Sequence, residues 1–513
     1  MTQPTVNLSE LSDDQKRKLL QKLMQQKAKP KRFPLSFAQQ RLWFIEQLQP
    51  GGYTIPALLK LKGNLQLDVL EKSFTTVIER HESLRTTFGD EDGQPYQVIS
   101  EPRSLTLEPI DISHLPEAEK SDAIAKYFKD FVAQPFDLEN GPLIRCQLLH
   151  VGADEHVLGV ALHHIIADYF SVQLMMREVA LLYQTFLKDL PNPLDALSLQ
   201  YVDFAHWQRK SQTFEDQLEY WTKQLADLPP LLNLPTDFPR PAVQSFQGER
   251  QTFALASELS TALLNLAKQE QVTPFMLLLA ALKVLLHRYT GQDDIFVGST
   301  VSRRDRPELQ PLIGLFVNNL VFRAKLDPQD SFQTLLAQVR DITLDAYAHQ
   351  DLPFEQLVDE LNVERQMSHN ALFQVMFILH NTPSDSLSLP DLEISSLELE
   401  TSTARFDISL DMYETDSGLT GTFEYRTDLF ETATIERLIG HFETVLQGVV
   451  DNPGQALSSI QLLTDKETQQ FESWNRATKR DFAEEDGDRS SKLAHELIAH
   501  QAQLNPEKVA IAQ

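Results

Sequence analysis

The residues LIRCQLLHV, 143–151, alternate apolar with polar side chains, and HVLGVAL, 156–162, is an almost unbroken apolar run. Together they predict an antiparallel hairpin closed by the Gly-Ala-Asp-Glu stretch at 152–155, its second strand buried. Beyond it, Val172, Met175, Met176, Val179, Leu182, Tyr183 and Phe186 recur at helical spacing, with Ser171 placed to cap the first turn. Strand and helix are joined by HHIIADYFS, His163 to Ser171, the densest cluster of catalytic-grade side chains in the sequence.

The same two periods alternate along most of the chain. Upstream, SFAQQRLWFIEQL predicts a helix, LLKLKGNL a strand, LDVLEKSFTTVIERHESL a second helix, and LRTTFGDEDGQPYQVI extended chain with turn residues at its centre. Downstream, helices are expected at 213–227, across 257–290, near 331–348 and at 432–450, with strands at ERQTFAL, DIFVGSTVS, EISSLEL, FDISLDMYE and LTGTFEYRT. This gives a mixed α/β chain of two lobes with like element order, 34–212 and 213–465, without a fixed-period repeat. Residues 1–33 read as a short amphipathic helix or docking segment, with Ser12 and Gln15 forming a capping box before Pro30 and Pro34 end it. Residues 466–513 begin as a polar linker and turn amphipathic at KLAHELIAHQAQL.

Successive side chains on a strand face opposite ways, so His163 and His164 must do different jobs. One faces inward and the other into a cleft. Asp168 follows His164 by four positions, a spacing that a helical turn closes, and a carboxylate there would fix an imidazole tautomer. A hydrogen-bonded core histidine and an aspartate used as a cap or ion-pair partner are the plainer readings. A zinc site from the two histidines and the aspartate is disfavoured, because no further ligand lies at a recognisable spacing and there is no Cys-x-x-Cys.

A chain of 513 residues is too long for one core and implies two or three domains. With 42% hydrophobic and 23% charged residues it is ordinary globular material. A net charge of −27 argues against nucleic acid and anionic membrane surfaces as partners. The single cysteine, Cys146, excludes an internal disulfide, fits a reducing compartment and sits on a packing strand. The most apolar stretch, FMLLLAALKVLL from Phe275, is too short to span a bilayer and is interrupted by Lys283, which predicts a buried helix. The first thirty residues have no signal-peptide core, so a cytoplasmic location is expected.

HHIIADYFS resembles the His-His-x-x-x-Asp-Gly signature of condensation domains from non-ribosomal peptide synthetases, a family related to chloramphenicol acetyltransferase. SFAQQRLWF, RHESLRTTF, YVDFAHWQ, IGLFVNNLVFR, HQDLPFE and RQMSHNALFQVMF resemble the family's other core motifs, in the correct order. The resemblance implies two acetyltransferase-like lobes set as a V-shaped pseudo-dimer. It also implies amide bond formation between an acyl or peptidyl thioester on one carrier protein and the amine of an aminoacyl thioester on another. Both substrates ride on phosphopantetheine arms, and the domain binds no cofactor of its own. On this reading His164 deprotonates or orients the attacking amine and His163 supports it. Asp168 pairs with an arginine of the other lobe, best matched by Arg304, with Arg303 and Arg306 nearby, and Asn318 lies at the cleft floor or serves as a structural amide. RHESLRTTF resembles the subtype taking an L-configured donor. Residues 492–513 resemble the opening helix of an adenylation domain, the expected neighbour in cis. With no carrier domain ahead of the motifs, the donor is expected from a separate synthetase or polyketide synthase.

The sequence departs from the pattern at Tyr169, where the motif has glycine, and at Gln366 and Ala371, where aspartate and proline are usual. Tyr169 narrows a working tunnel, donates its hydroxyl to a substrate, or marks a non-catalytic relative that recruits tailoring enzymes. Epimerisation domains share the two histidines but carry a glutamate motif not evident here, and heterocyclisation domains have aspartates in place of His163 and His164.

Overall fold

The computed structural model describes residues 31–48, 51–210, 214–227, 229, 231–363, 366–380, 392–397, 403–478 and 494–505. The chain forms two compact units, Met1–Ile460 and Gln461–Gln513. In the second unit the described elements are the helices Asp465–Thr478 and Ala494–Leu504. The expected capping box at Ser12 and Gln15 and residues 479–491 of the polar linker lie outside the described residues, while 466–478, read as linker, belong to the helix Asp465–Thr478.

The first unit carries strands β1 (Arg32–Pro34), β2 (Thr54–Gly63), β3 (Thr86–Glu91), β4 (Gln94–Ile99), β5 (Ile110–Asp111), β6 (Ile144–Gly152) and β7 (Glu155–His163). It continues with β8 (Gly248–Ala254), β9 (Asp294–Ser302), β10 (Val317–Lys325), β11 (Val375–His380), β12 (Leu392–Ser396), β13 (Ile408–Thr415) and β14 (Gly418–Arg426). The apolar run at 156–162 becomes β7, an interior strand of a five-stranded sheet ordered β12-β2-β7-β6-β5 and buried from Val157 to His163. The helices Leu67–Arg80 and Tyr169–Phe186 pack on each other, and Glu117–Ala133 lies against β6 and β7. Gly159 permits that last approach, since a Cβ there would sit 2.1 Å from the Phe128 ring.

The second large sheet runs β10-β9-β11-β13-β14-β8. Its strand β11 is parallel to both neighbours, while the remaining pairs are antiparallel. The helices Pro274–Thr290, Phe332–Ala348 and Thr432–Asp451 pack against it and one another. Lys283 does not interrupt burial of the apolar helix, because its side chain is itself buried and its Nζ donates to the carbonyls of Ile295 (3.1 Å) and Phe322 (2.6 Å). No single helix among the described residues is long and apolar enough to cross a membrane. The bent pair Ser257–Gln269 and Pro274–Thr290 passes on length and composition together, but the second of these is core.

The stretch EISSLEL does not join the sheet of its sequence neighbours. Leu392–Ser396 pairs antiparallel with β2, so a strand from the second half completes the sheet of the first.

Candidate active site

Strand β7 ends at the histidine pair and aims the two rings differently. His163 is fully buried; its Nδ1 accepts the Ile165 N–H at 3.1 Å, which leaves the ring proton on Nε2, 3.5 Å from the buried Glu46 Oε2. His164 turns towards a cavity of about 410 Å³. Its Nδ1 is sealed from solvent without a partner among the described residues, leaving Nε2 as the nitrogen available to a substrate. Burial, then the charge of Arg405, pushes this imidazole down to about 3, with Asp168 opposing.

Asp168 is not the partner of His164. It is the N-cap of the helix Tyr169–Phe186, a role the sequence pattern assigns to Ser171. Its Oδ1 accepts the Ser171 N–H at 2.8 Å and faces the Ser171 hydroxyl at 2.6 Å, and its Oδ2 accepts the Phe316 N–H at 3.0 Å. Arg304 Nη2 completes the shell at 3.1 Å from Oδ1. The other end of that guanidinium donates to the carbonyls of Leu309 and Leu312, and its face lies over the Phe316 ring. Ser171, three residues into the turn, accepts from Arg304 Nη2 and from the Gly314 N–H. The i, i+4 dyad is therefore replaced by a buried latch that ties the start of this helix to the Gly314–Phe316 strand entry. Of the neighbouring arginines, Arg303 pairs with Asp351 and Arg306 lies over Trp207.

Other motif residues meet at the same latch. Tyr201 donates to the Leu315 carbonyl and lies 2.8 Å from the Ser36 hydroxyl, and a Cβ on Gly314 would strike the Tyr201 ring at 2.0 Å. Gln39 reaches the Ile165 carbonyl, and His81 joins Glu178 while facing the Ile313 N–H. Asn318 borders the cavity, yet its amide is spent on main chain: Nδ2 donates to Gln350 and Leu352 carbonyls, and Oδ1 accepts from Phe354.

Tyr169 is 54% exposed and forms part of the cavity wall, its ring edge-on to His380 at 5.6 Å. Arg405, His380 and Asp411 share that wall and stand in none of the sequence motifs. They carry no local signature: strand pairing brings His380 beside Asp411, and Arg405 lies in the bend that precedes β13. Among the described residues no three His, Cys, Asp or Glu side chains are grouped to hold a metal ion. Burial pushes the Cys146 thiol up to about 12, which unsuits it as a nucleophile.

Residues 29–472 match the model of the condensation domain family. The chain belongs to that family. It is 44% identical over 492 residues to a linear gramicidin synthase protein of Brevibacillus parabrevis, covering 94% of this chain and 10% of that protein. The chain thus spans about a tenth of the length of that curated relative. Among solved structures, the X-domain complexed with OxyB from teicoplanin biosynthesis superimposes with a TM-score of 0.76 at 28% identity, covering 85% of this chain and 97% of the other. The four-domain nonribosomal peptide synthetase AB3403, bound to AMP and glycine, gives 0.78 at 24% identity over 85% of this chain and 34% of that one, a likeness of fold. The mixed α/β architecture is that of the condensation domain.

Proposed function

We propose that this chain joins a donor acyl or peptidyl thioester to the amine of an acceptor aminoacyl thioester, both held on phosphopantetheine arms of carrier proteins. The supporting observation is the division of labour at the motif: Asp168, though it borders the cavity, has its oxygens engaged in the latch, while His164 lines the cavity with its Nε2 outside any hydrogen bond among the described residues. The amine nitrogen bonds to the thioester carbon, the C–S bond breaks, and the departing thiolate takes up the proton that nitrogen sheds. His164, held far below the range of an amine, does not retain that proton. Its role is to accept a hydrogen bond from the neutral amine and point the nitrogen lone pair at the carbonyl. Placement of two tethered reactants supplies the larger part of the rate, since proximity is worth roughly 7–11 kcal/mol in good geometry.

Replacing His164 by Ala is expected to lower condensation about 10²- to 10⁴-fold with the fold intact. Intact-mass spectrometry of a loaded acceptor carrier reads this as loss of the mass gain equal to the donor acyl group. A variant within threefold of wild type removes His164 from the reaction. The finer reading is the L-donor subtype, on RHESLRTTF, with an adenylation domain starting near residue 492, in the cytoplasm. The second reading, a recruitment platform, draws on Tyr169 and on the likeness to an X-domain solved in complex with OxyB. Absence of product across a broad panel of loaded carriers would favour it.

A further inference from the structure

The cavity that receives His164 holds a second imidazole. Strands β11 and β13 run parallel in register, with Ile378 beside Asp411 and His380 beside Tyr413, so Met376, Ile378 and His380 share the face that carries Ser409 and Asp411. All five line the cavity. His380 Nε2 lies 2.7 Å from Asp411 Oδ1. A carboxylate only accepts, so Nε2 carries the hydrogen and the remaining Asp411 oxygen stays an acceptor. No hydrogen bond reaches that oxygen from the described residues. Arg250, on the same sheet, gives both Nε and Nη2 to Glu424 instead. The His380 ring is stacked on Tyr413 at 4.5 Å and met edge-on by Tyr169, which is anchored in the other half of the unit at the head of the helix Tyr169–Phe186.

This arrangement is built rather than incidental. The imidazole is clamped between two tyrosines and a carboxylate, so its orientation is fixed, and the acceptor oxygen of Asp411 is presented beside aromatic surface. A wall of this kind suits a group that donates a hydrogen bond and brings some apolar length with it. The reacting amine is served by His164, so the wall is left for a second polar group on the same substrate.

We propose that Asp411, His380 and Tyr169 form a side-chain subsite that selects an aminoacyl substrate ending in a hydrogen-bond donor, an amine, amide or hydroxyl, over an aliphatic one of similar size. The proposal rests on the condensation reading for the identity of the substrate. Asp411 supplies the acceptor, His380 holds Asp411 in place, and Tyr169 limits the reach of the side chain. The expected discrimination is about ten- to a hundredfold, the range of one charge-assisted hydrogen bond.

The test uses the full chain and stable amide analogues of aminoacyl-pantetheine in near-isosteric pairs, glutaminyl against methionyl and ornithinyl against norleucyl. Isothermal titration calorimetry is expected to show the donor-bearing member of each pair binding about ten- to a hundredfold tighter. Asp411→Asn is expected to narrow the ratio at least threefold, and Asp411→Leu to abolish it, while neither changes affinity for the norleucyl analogue more than threefold. Equal binding of both members by wild type, or an unchanged ratio in both variants, overturns the subsite. Condensation is followed in parallel with a norleucyl acceptor, which wild type should convert to product and His164→Ala should not. Absence of product in wild type overturns the condensation reading and leaves the subsite to be decided by the binding ratio.

Discussion

Burial and Arg405 hold the His164 imidazole at about 3, whereas the α-amine of an aminoacyl substrate titrates near 8. Over the working range the ring stays neutral and the amine changes state, so log rate should climb with pH to a plateau near 8 without an inflection near 6.5. An inflection near 6.5 that vanishes in His164→Asn would contradict this. The same depression has a consequence for stability. The unfolded chain takes up a proton at His164 near 6.5 and the folded chain only near 3. Its stabilising contribution is therefore present above pH 6.5 and is lost as pH falls towards 3. Urea midpoints at pH 7 and pH 5 should show a larger loss for wild type than for His164→Asn. Asp168 makes the opposite case, since its buried bonds are already complete. Asp168→Ala strands the Arg304 charge and should cost about 3–5 kcal/mol, read as a lower thermal midpoint. An unchanged midpoint would show that the ion pair contributes nothing. The residues of this latch are legible because motif and spacing carry them, yet the spacing alone misleads: His164 and Asp168 sit four apart without bonding. His380 and Asp411 are illegible, because neither stands in a local pattern and only strand register makes them neighbours.

Among elements, those with a clean period are the ones the pattern reveals. The strands at 406–414 and 419–427 and the closing helix Thr432–Asp451 bury mainly one face, while β7 of the hairpin is buried on both and shows as an unbroken apolar run. Strand β11 escapes the pattern because VMFIL, ahead of His380, is an apolar run without alternation, as a parallel strand with a neighbour on each side tends to be. Strand β12 is visible but misplaced. Its alternation fits a half-buried strand in any sheet, and nothing local says that it pairs with β2. The buried-helix reading of the stretch from Phe275 holds, and Lys283 is buried with it. It lies on a buried helix and serves two strand carbonyls, and burial pushes its amine down to about 7. Lys283→Ala should leave both carbonyls without that donor and open space in the core, costing about 2–5 kcal/mol in urea unfolding. A cost below about 1 kcal/mol would mean that those carbonyls find other partners.

For the unit Met1–Ile460, the placement of β12 and the latch bear on how many cooperative parts there are. The sequence suggests two lobes of like element order, which taken alone would predict two unfolding transitions. Two features cross that division: β12 lends an edge strand to the first sheet, and Arg304 with the Phe316 N–H completes the bonding of Asp168. Each half is thus missing something that the other provides. Residues 31–212 alone would leave the β2 edge unpaired and Asp168 buried without its cation, a combination that disfavours independent folding. Calorimetry of the full chain should therefore give a single transition for this unit, with any separate event belonging to residues 461–513. Asp168→Ala should shift that transition as a whole rather than split it. Residues 31–212 expressed alone should lack near-ultraviolet dichroism and regain it on co-expression with 213–460. Two resolved transitions within the unit, or a native-like isolated 31–212 fragment, would mean that the exchanged strand and the latch join two halves already stable by themselves. In that case the pairing of Asp168 with Arg304 would serve to set the cavity walls around His164, and its loss would lower condensation without lowering the melting temperature.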